Sequence, residues 1–410
     1  MTSNTKQSGP SFLEFVILVS MMMSLMALSI DAMLPALPQI GSDLNIQNPN
    51  TRQLVVSSIF LGAAVGQLFF GPLSDKTGRK PAIFIGYAIY IFGSFVSAFA
   101  YTFPMMLFGR LMQGIGISAP RAVLLALVRD IYKGRLMARV MSFVISVLLL
   151  IPMLAPSLGQ AILYQAGWRS IFISFVIMAL VTLIWFALRM PETLSPEKRT
   201  SFTLGRIINS TFEITKIRPA IGYTLSAGLI RGAFLGYLNS AQQIFQEGYA
   251  LGESFPRYFA LIALSLGLAS FLNARLVLRF GMRFLVWWSL IGILGLSVIT
   301  LGITLMTTGM LSLWLVTAYI MSTFFCVGIL NGNQNALAME PLGNLAGIGA
   351  AVVGSFSTLI SIPLGTLIGQ SYNGTVVPLI IGIALLSGIS LGVVRWIESY
   401  PNKITNEFRL

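Results

Sequence analysis

The chain has 410 residues, of which 56% are hydrophobic and only 10% charged, a balance that excludes an ordinary soluble domain. There is no histidine and a single cysteine, Cys326, so an internal disulfide and a cysteine or histidine metal cluster are excluded as well. The net charge of +13 is not the mark of a nucleic-acid binder, because the cations sort by position along the chain.

Apolar runs of roughly 20 residues, the length that spans a bilayer as a helix, recur between short loops of Gly, Pro and charge. They predict twelve transmembrane helices at 13–37, 53–73, 81–101, 104–129, 139–164, 168–189, 218–246, 254–278, 284–305, 310–338, 344–371 and 375–397. The first is too long for a signal peptide and no small-residue cleavage site follows it, so it is expected to remain as helix one. Twelve crossings put both termini on one side. Of the Lys and Arg, 20 fall on that side, only Arg52, Arg169 and Arg257 on the other, and Arg110, Arg121 and Arg231 inside helices. The positive-inside rule makes the terminus side cytoplasmic.

Helix one carries Asp31, the one acidic residue set well inside a hydrophobic segment. A carboxylate in hydrocarbon is costly and marks a proton relay or a ligand site. The same helix offers Met21, Met22, Met23, Met26 and Met33; methionine suits promiscuous binding surfaces, and packing or lipid contact is the plainer reading for any one of them. Helix two ends in Gly71-Pro72-Leu73-Ser74-Asp75-Lys76-Thr77-Gly78-Arg79-Lys80-Pro81. Asp75 opposes its own helix dipole there and needs an Arg or a neighbouring helix N-terminus, so Gly71, Asp75, Gly78 and Arg79 are read as a conformational latch. Gly78 permits the tight turn.

On helix four Arg110, Gln113, Gly114, Ser118 and Arg121 share one face, which should line a cavity because two Arg do not face lipid. Arg110 lies at a depth matching Asp31, so the two could pair or compete. The plainer reading of Arg110 is a structural arginine bonded to backbone carbonyls. Pro152 and Pro156 can kink helix five.

The polar stretch 191–217 divides the chain into six-helix halves, 1–190 and 218–410. A weak repeat supports the division: Leu276-Val277-Leu278-Arg279-Phe280-Gly281-Met282-Arg283 aligns with 73–80, with Leu278 standing where the first half has Asp75. Two repeated halves with a long middle loop describe a transporter built around a central cavity. Helix seven supplies Arg231, Tyr237, Asn239, Gln242 and Gln246, and helix ten Asn331, Asn333, Gln334 and Asn335; these are substrate contacts or interhelical glue. Glycines 343, 347, 349 and 354 allow close approach of helix eleven.

The loop at 71–81 resembles the loop signature of the major facilitator superfamily, and the chain resembles its twelve-helix drug–proton antiporters of the Bcr/CflA type. Ser29-Ile30-Asp31-Ala32-Met33-Leu34-Pro35-Ala36-Leu37-Pro38 matches that family's first-helix motif, and Arg110-Leu111-Met112-Gln113-Gly114 its fourth-helix motif. Ala155-Pro156-Ser157-Leu158-Gly159 resembles the antiporter motif of helix five, departing from it at Ala155 and at Gln160. The resemblance implies an all-α membrane protein, two six-helix pseudo-repeats around a central cavity, in a bacterial cytoplasmic (inner) membrane.

The expected function is proton-coupled export of small amphipathic drugs or metabolites by alternating access, without catalytic residues, cofactor, metal or nucleic acid. Asp31 and Arg110 are expected to couple protons. Met26, Gln113, Arg121, Arg231, Tyr237, Asn239, Gln242, Asn331 and Asn335 are expected to meet substrate, and Pro152, Pro156 and Gly159 to act as a hinge. A monomer in the lipid bilayer is expected. The alternative is a proton-coupled uptake symporter or facilitator for a polar nutrient, which would need a denser set of cavity hydrogen-bonders. A membrane enzyme lacks a catalytic constellation.

Overall fold

A computed structural model describes residues 10–199, 204–307 and 311–399. Among them the secondary structure is helical throughout, without strands. The chain divides into two compact units, Met1–Leu204 with Phe245–Leu264, and Gly205–Ile244 with Ser265–Leu410.

The first unit contains α1 (Phe12–Asp31), α2 (Leu37–Asp43), α3 (Leu54–Thr77), α4 (Arg79–Ala98), α5 (Phe103–Ile131) and α6 (Gly134–Arg189). Local chemistry starts these helices. Ser11 and Glu14 form a reciprocal capping box on α1, and the Thr102 hydroxyl accepts the Met105 N–H at the start of α5. At 56 residues α6 would be about 84 Å long, more than twice the thickness of a hydrocarbon core. It is two crossings joined at Gly167, whose φ of 74° is its one non-helical conformation. That break falls in the predicted gap between helices five and six. Pro152 and Pro156 lie inside the helical run, and the non-helical break between the two crossings is at Gly167.

Predicted helix one is shorter than expected. α1 stops at Asp31 and gives way to a 3₁₀ turn, Leu34–Ala36, then α2. Pro35 has no N–H to offer the Asp31 carbonyl one turn back, so the ladder ends there.

The second unit contains α7 (Leu204–Lys216), α8 (Arg218–Leu238), the later part of α9 (Phe255–Phe280), α10 (Met282–Met306), α11 (Leu313–Met339), α12 (Ala346–Gln370) and α13 (Val377–Glu398). Predicted helix seven ends eight residues early, at Leu238, and a π-helical turn, Gln243–Gly248, follows. The predicted linker 191–217 is partly helical, since α7 lies in it. Phe245–Leu264 groups with the first unit and not with 218–410, held by an Arg52–Glu247 ion pair and a Tyr164–Glu253 hydrogen bond.

Ten helices among the described residues are long and apolar enough to cross a membrane. Division of α6 at Gly167 makes eleven crossings. The twelfth is α8, rich in Gly and Ala and buried along most of its length, so it need not be strongly apolar. The repeat read from the loops recurs in the backbone. Gly78 (φ 107°, ψ 161°) and Gly281 (φ 78°, ψ 158°) make the same turn between paired helices in the two units.

Candidate functional site

Asp31 closes α1 and is buried, 6% exposed. Among the described residues no hydrogen bond or ion pair reaches its carboxylate, although a charge at a helix C-terminus faces the negative end of the dipole. The backbone around it is tightly held. A Cβ on Gly159 of α6 would lie 1.7 Å from the Ala32 carbonyl oxygen, so only glycine lets α6 meet this turn. Two residues before Asp31, the Ser29 hydroxyl shares a 2.6 Å hydrogen bond with the Tyr90 hydroxyl of α4. Gly159, expected to be a hinge, is thus the contact point between α6 and the proton-candidate turn.

Arg110 of α5 is fully buried. Its Nε donates to the Val55 carbonyl of α3 at 3.1 Å and its Nη1 to Gln113 Oε1 at 2.8 Å, while the guanidinium sits 5.8 Å from the Phe172 ring. Its buried Nη2 has no acceptor among the described residues. Gln113 passes the chain on, donating from Nε2 to Ser94 Oγ at 2.8 Å. Arg110 and Asp31 are therefore not paired in this conformation. Gln113 was expected to meet substrate, but both ends of its amide are engaged inside the unit and it supports Arg110 instead. The shared face of α5 also differs from expectation. Gly114 presses on the Ile59 carbonyl of α3, where a Cβ would come within 2.1 Å, and Ser118 is buried, so these positions of the face are packed against neighbouring helices.

Arg121, farther along α5, is exposed, and its Nη1 lies 3.7 Å from the Met26 sulfur of α1. Two expected substrate contacts, one cationic and one soft and apolar, are brought together here. In the second unit Arg231 Nη1 donates to Ser357 Oγ at 3.0 Å and Thr358 Oγ1 at 2.9 Å. Tyr237 stacks edge-on to Phe324 with ring centroids 4.8 Å apart, and Asn239 and Gln242 are buried. The amides of α11 divide by role. Asn333 bonds Asn273 at 2.8 Å and Gln334 bonds Ser226 at 2.7 Å, which is interhelical glue. Asn331 is exposed and Asn335 half-buried on the same face, with Asn335 Nδ2 donating to the Asn331 carbonyl at 2.9 Å.

The loop after α3 is a closed charge network. Arg79, 5% exposed, donates from Nη1 to Asp75 Oδ1 at 2.5 Å and to Ser74 Oγ at 2.8 Å, and from Nε to Asp130 Oδ2 at 3.2 Å. Thr193 also donates to Asp130, at 3.1 Å. The start of α4 is capped by Glu192, whose two oxygens accept the backbone N–H groups of Arg79 and Lys80 at 2.9 and 3.0 Å. Lys80 reaches back to the carbonyls of Ala187 in the last turn of α6 and of Met190 just beyond it, both at 2.8 Å. Gly78 serves this cap twice, by its positive φ and because a Cβ there would lie 2.5 Å from Glu192 Oε2. Gly71 has open space around its missing side chain and contributes its carbonyl, which accepts from Ser74 at 2.8 Å. Sequence reasoning missed Asp130 and Glu192. The available signal was two acids at helix ends beside a loop rich in cations.

A family model described as Major Facilitator Superfamily matches residues 17–366. Among curated proteins, an uncharacterized MFS-type transporter of Bacillus subtilis, YdgK, is 27% identical over 396 residues, 96% of this chain and 94% of that one. A bicyclomycin resistance protein homolog of Haemophilus influenzae is 27% identical over 372 residues, 89% of this chain and 91% of that one. The multidrug resistance protein MdtL of Escherichia coli is 28% identical over 251 residues, 58% and 60% of the two chains. Among solved structures, the xylose transporter XylE of E. coli superimposes with a TM-score of 0.73 at 12% identity, covering 96% of this chain and 98% of XylE. The human organic anion transporter MFSD10 gives 0.70 at 16%, covering 95% and 100%. These last two carry the fold alone. The family model over residues 17–366, with the helix count, the repeated glycine turns and the Asp75–Arg79 loop, leads to one conclusion: the chain belongs to the Major Facilitator Superfamily, as a multi-pass membrane transporter and not an enzyme.

Proposed function

We propose that the protein is a proton-coupled exporter of small amphipathic molecules, of the multidrug or phenicol type, working by alternating access as a monomer with both termini in the cytoplasm. The observation that carries this reading is the state of Asp31. A carboxyl group is buried at the end of α1, without a cation among the described residues, while the fully buried Arg110 of the same unit is bonded elsewhere. A proton is the partner that such a group accepts without moving another helix, and a conformation that brings in Arg110 or water would release it. The names of the relatives support the substrate side of the proposal, and the positive-inside distribution supports the orientation.

The exposed Arg121 beside Met26 favours substrates that combine an apolar body with a neutral, zwitterionic or anionic polar group. The test is transport by the purified protein in proteoliposomes with an imposed pH gradient, outward export being read as accumulation inside inverted vesicles. Substrate movement indifferent to the gradient would overturn proton coupling. Uptake driven down the proton gradient in the same direction as the proton would replace the exporter with the symporter.

A further inference from the structure

The turn between α9 and α10 repeats the turn between α3 and α4, but two of the cations at it, Arg275 and Arg279, have no carboxylate partner among the described residues. In the first unit Arg79 is consumed by Asp75 and Asp130. In the second, Leu278 stands at the Asp75 position, 88% exposed, and brings no acid to the turn. Arg275 and Arg279, one helical turn apart near the end of α9, are both exposed, and among the described residues no carboxylate pairs with either. Arg283 just beyond them does have such partners, Glu398 at 3.4 Å and Glu340 at 3.9 Å.

Around these two arginines lies a run of exposed rings. Arg275 sits 5.9 Å from the Phe271 ring and Arg279 5.2 Å from Phe280. Phe280 and Phe284 stack at 5.4 Å, and Trp288 follows one turn later, 6.0 Å from Phe284. Phe271 is 64% exposed and Trp288 55%. The opposite face of α9 is the packed one, with Ala269, Leu276 and Val277 against Leu285 of α10 and Ile329 of α11. A water-facing basic loop has no use for a rank of exposed rings, and a purely lipid-facing one has no use for two arginines. The combination fits the headgroup level, where aromatic belts and basic clusters meet anionic lipid.

We propose that this turn is a binding site for an anionic glycerophospholipid, with Arg275 and Arg279 on the headgroup phosphate and the acyl chains along Phe271, Phe284 and Trp288. The planar, forked guanidinium suits a phosphate better than a point charge would. The site is independent of the transport reading.

The full-length protein in detergent is titrated with phosphatidylglycerol, with phosphatidylcholine of the same chains, and with inorganic phosphate, reading thermal unfolding and lipid adducts by native mass spectrometry. Phosphatidylglycerol is expected to raise the Tm by roughly 2–4 °C over phosphatidylcholine and to persist as an adduct. The double substitution Arg275→Gln with Arg279→Gln removes both effects, while Lys133→Gln with Arg135→Gln, an equal loss of exposed charge elsewhere, leaves them. If the double variant does not fold, Arg279→Gln alone is read in the same way and should lose part of the increment. Equal behaviour of the two lipids, equal loss in the Lys133/Arg135 variant, a matching shift with phosphate alone, or a dimer that buries this face would each overturn the proposal.

Discussion

The Glu192 carboxylate accepts the backbone N–H of Arg79 at 2.9 Å, across 113 positions of sequence, so the first turn of α4 is closed by a residue that follows α6. A negative charge at a helix N-terminus satisfies orphan donors and complements the dipole. The same carboxylate also takes the Lys80 and Leu194 N–H groups. Glu192→Ala is expected to cost about 1–2 kcal/mol, the range of a lost cap. That should appear as a Tm a few degrees lower in detergent, with weakened transport. An unchanged Tm would show that water replaces the cap without loss.

The loop itself should respond differently. The Asp75–Arg79 pair is half exposed on the acid side, so its stability contribution is at most about 1 kcal/mol. Asp75→Asn is therefore expected to leave folding and membrane insertion intact while abolishing transport, by freeing Arg79 to bias the conformational equilibrium. Gly78→Val places a branched side chain at φ 107° against Glu192 and should also abolish transport, with a stability loss of about 1–3 kcal/mol. Transport assays at matched membrane abundance check both, and normal activity in both removes the latch.

Asp31→Asn preserves shape and hydrogen-bonding while removing the titrating proton. It is expected to lower pH-gradient-driven accumulation in proteoliposomes by roughly 5- to 150-fold, the usual size of a coupling between two sites, while substrate binding and downhill exchange persist. Full gradient-driven accumulation by the Asn variant would place the proton elsewhere. Arg110→Lys tests its partner, because one ammonium cannot reproduce the forked contact with the Val55 carbonyl and Gln113.

Substrate charge follows from Arg121. An exposed guanidinium inside a membrane helix, beside a methionine sulfur and without a carboxylate among the described residues, should repel dications. Phenicol- or sulfonamide-like compounds are expected to be exported in preference to dicationic dyes, and Arg121→Gln should narrow that preference. Vesicle assays with a matched neutral and dicationic pair decide it; equal export of the two by the parent protein sinks the idea.

Hydropathy, the glycines of the two equivalent turns, Gly78 and Gly281, and the long polar middle stretch are local properties, and they made the spans, the repeat and the loop legible in the sequence, whereas the break after Asp31 was not anticipated although Pro35 carries its local cause. Helix seven was harder to bound. Its end at Leu238 depends on the turn that follows and not on composition.

The chemistry of the partners was settled by tertiary structure alone. The i,i+3 spacing of Arg110 and Gln113 on α5 allows their contact, but nothing in it tells that Arg110 also bonds the Val55 carbonyl and leaves Asp31 alone, because that contact crosses from α5 to α3. Asp130 and Glu192 lie 51 and 113 positions from Arg79 and obey no helical period. A sequence specifies which groups cannot face lipid; packing decides which of them meet, since only the assembled helices bring distant donors and acceptors within bonding distance.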